Sequence, residues 1–275
     1  MHRVKRGAAI HDLSCFGRCS LAVILPVLSA MGVQCCPMPT AVLSTHTGGF
    51  GGIARTDLTG QLEGTLEQWK ELPLRFDGVY TGYMASAGQI ELARSAIGAL
   101  KGAEGLAVVD PVLGDHGWLY SSITDDMVSA MRELCRCADV ITPNLTEANL
   151  LLGREADAPA EDTKAMACTL SEGGTRSVVI TGVSPVEGQV GALWFDRCSG
   201  QTGVCAGARV DAVYPGTGDL FAAVLTGGLI RGESLPQSVA RGVEYVRLCA
   251  HHTLTKGLPA REGVEFEPLL DKLIL

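Results

Sequence analysis

Short apolar runs, each closed by a glycine, a proline or an acid, alternate along this chain with segments of helical length. That rhythm limits the fold more than any other feature. Residues 8–10, 76–81, 106–110, 140–142, 177–181 and 190–195 read as strands. Between them Leu58, Leu62, Leu66 and Trp69 recur at helical spacing and predict a helix over 57–72, ended by Pro73. Ile90, Ala93, Ile97 and Leu100 share one face of a helix over 86–100, and further helices are predicted over 18–31, 124–137, 147–152, 162–172, 219–230 and 235–254. Ser20 is a candidate N-cap, Pro26 a kink, Asp125 and Asp126 an acidic first turn, and Gly173-Gly174 a stop. Segment 33–43 leans towards β structure, with Pro37 and Pro39 placing it at a sheet edge or a bulge. Short strands alternating with helices imply βαβ units around a mostly parallel sheet, whose ligands bind beyond the carboxyl ends of the strands.

Composition narrows the class. At 275 residues with 47% hydrophobic side chains, the chain builds a substantial core and is not disordered. No repeat, low-complexity tract or linker divides it, so residues 1–275 are read as one domain. Lys+Arg is 22 against Asp+Glu 30, a net charge of −8, which argues against nucleic acid or an anionic membrane as the main partner. The apolar runs over 20–33 and 220–230 are too short or too broken to span a bilayer, and no signal peptide is read. The ten cysteines fit no paired CxxC pattern and are expected as reduced thiols in a cytoplasmic protein.

The sharpest chemical signal is Pro215-Gly216-Thr217-Gly218-Asp219 opening an apolar helix. A helix N-terminus exposes unpaired N–H groups and a positive dipole end, and glycines let a phosphate approach them. Asp219 in the same turn can reach a hydroxyl beside that phosphate, which suits phosphoryl transfer to an alcohol. An N-cap after a glycine turn would look the same. Asp110-Pro-Val-Leu-Gly-Asp115 and Thr142-Pro-Asn144-Leu-Thr-Glu147 add acids and amides at strand ends. These could hold Mg²⁺ through water, or Asn144 and Glu147 could simply form a capping box. No GxxxxGK[ST] is present, and no strand-linked GxGxxG opens the chain.

Together these motifs resemble the ribokinase-like superfamily, and Ser44-Thr45-His46-Thr47-Gly48 with Thr81-Gly82-Tyr83 resembles its vitamin B6 kinase branch. The resemblance runs from about Ala8 to Thr255. It implies a three-layer α/β/α sandwich and an ATP-dependent kinase acting on the 5′-hydroxymethyl group of pyridoxal, pyridoxine or pyridoxamine. Asp219 would then be the base, and the N–H groups of Gly216, Thr217 and Gly218 the anion hole. Asp110, Asn144 and Glu147 would organise Mg²⁺ and the triphosphate. Asp115, Thr142 and Thr181 would lie near the phosphates and a monovalent cation such as K⁺. His46, Thr47 and Tyr83 would line the pyridine site, although Tyr83 also fits a core aromatic and His46 a loop hydrogen bond. The resemblance also implies a homodimer.

One departure is visible. Where the B6 kinases commonly carry a Ser-His pair after the first strand, this chain has His11-Asp12. Asp12 is expected to present a carboxylate to the ring edge. Hydroxymethylpyrimidine kinase therefore stays open as an alternative, as does a non-catalytic vitamer-binding regulator. Residues 196–208 match, by position, a flap over ATP, and fit an ordinary hairpin equally well.

Overall fold

Short, largely buried runs form the central strands of the computed structural model, which describes residues 3–159, 162–172 and 177–274. In chain order the elements are β1 Lys5–Ser14, α1 Leu21–Ala30, β2 Val33–Leu43, β3 Arg55–Asp57, α2 Thr59–Glu71, β4 Phe76–Thr81 and α3 Ala87–Leu100. Next come β5 Lys101–Val109, β6 Gly114–Asp115, β7 Trp118–Leu119, α4 Asp125–Arg136, β8 Val140–Ile141, α5 Leu145–Leu151 and α6 Thr163–Glu172. The chain closes with β9 Ser177–Val183, β10 Gln189–Asp196, β11 Gln201–Ala208, α7 Thr217–Arg231 and α8 Leu235–Lys256, then two 3₁₀ turns.

The main sheet has nine strands in the order β11-β10-β9-β8-β5-β4-β1-β2-β3. The six from β9 to β2 run parallel, and β3, β10 and β11 are antiparallel additions at the two edges. Both faces are covered. Ala9, Tyr80, Val108, Val140 and Val179 pack under α1, α7 and α8. Ala8, Ile10, Val79, Ala107, Val109, Ile141, Val178 and Ile180 pack under α2 to α6. Strands buried on both faces read as continuous apolar runs, as Ser177-Val-Val-Ile180 does. The result is the expected α/β/α sandwich around a mostly parallel sheet.

Most boundaries follow local chemistry. Ser86 and Thr124 cap α3 and α4, each accepting from the backbone N–H three residues on. Pro26 lies inside α1, and β2 has a strand partner on its outer side only over residues 41–43, which suits its two prolines. The helix predicted over 18–31 starts late, at Leu21. Ser20 takes a left-handed φ of 59°, and its side chain makes no capping bond. Strand β5 extends five residues upstream of the predicted start, to Lys101. Within segment 196–208, residues 201–208 pair throughout with β10, as in the hairpin reading. The Gly173-Gly174 stop lies outside the described residues. All ten cysteines are free thiols. Among the described residues no helix is long and apolar enough to cross a membrane.

The layer of α1 against α7 makes a measurable demand. Leu28 is fully enclosed there, against Gly227 of α7. Leu28→Ala is expected to lower unfolding free energy by about 2–5 kcal/mol in urea titration, while Leu254→Ala on the exposed side of α8 stays within about 0.5 kcal/mol.

Candidate active site

The strand order reverses direction at the β1/β4 pair, because β2 lies on one side of β1 and β4, β5, β8 and β9 follow on the other. Crevices beyond such a switch point are where parallel sheets bind ligands. His11 and Asp12 near the end of β1, Thr81-Gly82-Tyr83 leaving β4, Asp110 after β5 and Thr142-Pro143-Asn144 after β8 all gather at this edge of the sheet. The start of α7 meets them there, since Asp219 bonds to His11.

Gly216 caps α7 with φ 78°, and a Cβ on it would stand 2.0 Å from the Arg18 carbonyl oxygen, so the turn admits only glycine. The first turn of the helix leaves the N–H groups of residues 216–219 without intrahelical acceptors. Gly218 has no atom within 4 Å of where a Cβ would sit, so the start of the helix is open on that side. Asp219 sits in the same turn with both carboxylate oxygens engaged. Oδ1 lies 3.1 Å from His11 Nε2, and Oδ2 accepts the Ser20 N–H at 2.7 Å. That second bond is the use of the left-handed turn at Ser20. The Asp219 side chain keeps 15% exposure while His11 keeps 2%, so the carboxylate, not the ring, can meet a ligand.

Asp12 does not present itself to a ligand ring as expected. Its Oδ1 lies 2.8 Å from His11 Nδ1, its Oδ2 accepts from Ser14 Oγ at 3.2 Å, and the residue is buried. The physical reason is its neighbour: a buried imidazole between two carboxylates draws Asp12 inward. Burial disfavours the charged ring, but Asp219 and Asp12 beside it more than offset this, and the His11 pKa is pushed up to about 10. Burial also pushes Asp12 upward, yet the hydrogen bond and charge of His11 hold its carboxyl below the ordinary range.

A second acidic group lies at the ends of β5 and β8. Asp110 is buried and accepts from Thr142 Oγ1 at 3.1 Å. Its pKa is pushed up to about 7 by burial and the nearby Asp219 charge, against the pull of His11 and Thr142. Glu147 is raised well above the usual carboxylate range by burial and then by Asp110. Asn144 and Glu147 form the capping box: Glu147 Oε2 accepts the Asn144 N–H at 2.9 Å, and Asn144 Oδ1 accepts the Glu147 N–H at 2.9 Å. Glu147 Oε1 accepts the Leu113 N–H, and Asn144 Nδ2 donates to the Gly114 carbonyl. These atoms are committed to the fold. Among the described residues no three acidic, histidine or cysteine side chains converge as a ligand set. A hard cation held through water, the mode Mg²⁺ favours, would fit here because it would offset the repulsion between the buried Asp110 and Glu147 carboxylates. Thr181 bridges to Asn144 across the sheet end, and Asp115 is exposed on the β6–β7 hairpin.

Of the three residues expected around a pyridine ring, His46 is otherwise employed. It is buried, its Nδ1 accepts the Gly48 N–H at 3.1 Å, and its Nε2 donates to the Arg261 carbonyl at 2.8 Å. With both nitrogens spent on backbone, it shapes the loop and offers a ligand no nitrogen. Thr47 is exposed on that loop. Tyr83 is half-buried beyond β4, with its hydroxyl 3.3 Å from Ser122 Oγ and the Arg55 guanidinium 5.9 Å from its ring centroid. His11, to which the sequence alone assigns no role, joins the site through Asp219, 208 positions away.

Known proteins share this architecture. The phosphomethylpyrimidine kinase family model matches residues 25–262. A Bordetella bronchiseptica pyridoxine/pyridoxal/pyridoxamine kinase is 32% identical over 242 residues, covering 84% of this chain and 83% of its own. The crystal structure of pyridoxal kinase from Lactobacillus plantarum superposes with a TM-score of 0.92 at 35% identity, over 99% of this chain and 97% of that one. A Bacteroides thetaiotaomicron protein assigned to the phosphomethylpyrimidine kinases and crystallised with pyridoxal gives 0.93 at 39% identity, over 99% and 96%.

The turns around Asp219 have little slack. Gly216→Ala is expected to cost about 1–3 kcal/mol of stability, from the left-handed backbone and the Arg18 carbonyl, read by thermal or urea unfolding. An unchanged transition would contradict this geometry.

Proposed function

This chain belongs to the phosphomethylpyrimidine kinase family, and on that premise we propose that it transfers the γ-phosphoryl group of ATP to the 5′-hydroxymethyl group of a B6 vitamer. The observation that carries the reading is the pairing of Asp219 with the open amide end of α7. The N–H groups of residues 216–219 would donate hydrogen bonds to the equatorial oxygens of the migrating phosphoryl, over which its charge spreads. Asp219, partly exposed and fixed at both oxygens, keeps lone pairs free to take the hydroxyl proton as the new O–P bond forms.

The remaining residues bind and orient. Tyr83 offers an aromatic surface and Thr47 a hydroxyl for a flat heteroaromatic ring. Asp110, Thr142 and Thr181 lie where the phosphates of ATP would enter along the ends of β5, β8 and β9. Asp110 and Glu147 would hold Mg²⁺ through its water shell, and bound there it neutralises charge on the β- and γ-phosphates. His46 and Asp12 support the reading as shaping residues, not as ring contacts. A second reading, a hydroxymethylpyrimidine kinase, is favoured by the name of the matching family model, since that substrate is a similar flat aromatic alcohol.

Two measurements test this. Asp219→Asn is expected to lower kcat by about 10²–10⁴-fold while nucleotide binding by calorimetry stays near wild type. Turnover retained at the wild-type level would remove Asp219 from the chemistry. An ADP-release assay is expected to give a higher kcat/KM with pyridoxal, pyridoxine or pyridoxamine than with hydroxymethylpyrimidine. The reverse order moves the chain to the second reading.

A further inference from the structure

We propose that Asp12 and His11 form a hydrogen-bonded chain that positions Asp219 as the proton acceptor, so that both act on turnover through Asp219 and neither contacts the substrate. This rests on the kinase reading and deepens it.

The geometry runs in one line. Ser14 Oγ donates to Asp12 Oδ2, Asp12 Oδ1 faces His11 Nδ1 at 2.8 Å, and His11 Nε2 faces Asp219 Oδ1 at 3.1 Å. The Asp12 backbone N–H is also directed at Nδ1, at 2.9 Å, and favours a bare nitrogen there, but the full charge of the carboxylate oxygen at 2.8 Å repels that lone pair more strongly, which puts the proton on Nδ1. Nε2 faces a carboxylate too, so the ring donates from both nitrogens. A donor from either side alone would leave Asp219 free to rotate about its χ angles. The His11 and Ser20 donors together hold each of its oxygens.

The surroundings are arranged for this ring. Gly82 lies where any Cβ would come within 2.0 Å of the imidazole, so the turn leaving β4 has been kept clear for it. The charged and titratable neighbours come from every packed element: Asp12 on β1, Asp219 on α7, the Tyr80 ring on β4 with its centroid 6.3 Å away, Asp110 after β5, and Cys19 beside Asp12 and Asp219 ahead of α1. A cationic ring among these acids leaves Asp12, His11 and Asp219 with one net negative charge, which lowers the cost of keeping an ionised base in a closed crevice. During transfer the hydroxyl proton moves to Asp219, the O–P bond to ADP breaks as the new one forms, and His11 retains both of its protons.

The chain separates cleanly from a ring-contact role. Asp12→Asn and His11→Ala are expected to lower kcat, with His11→Ala losing about 10²-fold, the scale of a base displaced by about an ångström. KM for each vitamer stays within about twofold, and all vitamers lose the same factor. His11→Gln, which still donates one hydrogen bond to Asp219, recovers part of the loss. A changed ranking of vitamers, or a raised KM with kcat intact, would return Asp12 to the ring edge and overturn the proposal, as would wild-type kcat in His11→Ala. One readout needs no substrate. Nitrogen-15 spectra of the wild-type histidines, with the His11 signals assigned by loss in His11→Gln, are expected to show both ring nitrogens protonated at pH 8. A single protonated nitrogen refutes the chain whatever the enzyme acts on, whereas a wild-type enzyme silent towards every vitamer refutes the substrate reading alone.

Discussion

A carboxylate held at both oxygens against the mouth of a helix is the constraint around which this molecule is arranged. For Asp219 to stand there, the helix must begin at a residue with positive φ, which Gly216 supplies. The chain ahead of α1 must turn back sharply enough to aim an N–H at Asp219, which Ser20 does at the expense of a left-handed backbone. The end of β1 must carry an imidazole to the same point, which requires the gap at Gly82. His11 and Ser20, both within the first twenty residues, are thereby tied to a side chain some two hundred positions on.

The sheet makes this convergence possible. Six parallel strands deliver their carboxyl ends to one edge, and the reversal of order at β1/β4 opens a crevice between them. The two layers of helices seal both faces, so the polar groups at the edge are desolvated and act on one another strongly. Asp110 and Glu147 are pushed up in pKa by that burial, and His11 is pushed up by its two carboxylate neighbours. The acids along β5 and β8 suit a cation and phosphates, while the glycine-rich start of α7 suits the anion that moves between them.

What could be read from the sequence was local. Strand β4 matches its predicted bounds, the helices over 86–100 and 124–137 fall within a residue of theirs, and the Asn144/Glu147 box forms where short-range side-chain chemistry puts it, whereas the cap candidate Ser20 makes no capping bond. The turn that opens α7 was legible because Gly216-Thr217-Gly218-Asp219 is contiguous. Elements of two or three residues, β3 and the β6–β7 hairpin, are too short to carry a period. His11 was passed over and Asp12 misplaced because their roles depend on a partner brought in by the fold. His46 was placed at the ring because its motif suggested it, and only the coordinates show both of its nitrogens bonded to backbone.

The most direct test of the whole account is a crystal structure with pyridoxal and a non-hydrolysable ATP analogue. The vitamer hydroxymethyl oxygen is expected within hydrogen-bond distance of an Asp219 carboxylate oxygen, in line with a γ-phosphate that accepts from the amides of residues 216–219. A vitamer seated with that oxygen turned away from Asp219, or a γ-phosphate held elsewhere than at the start of α7, would contradict it.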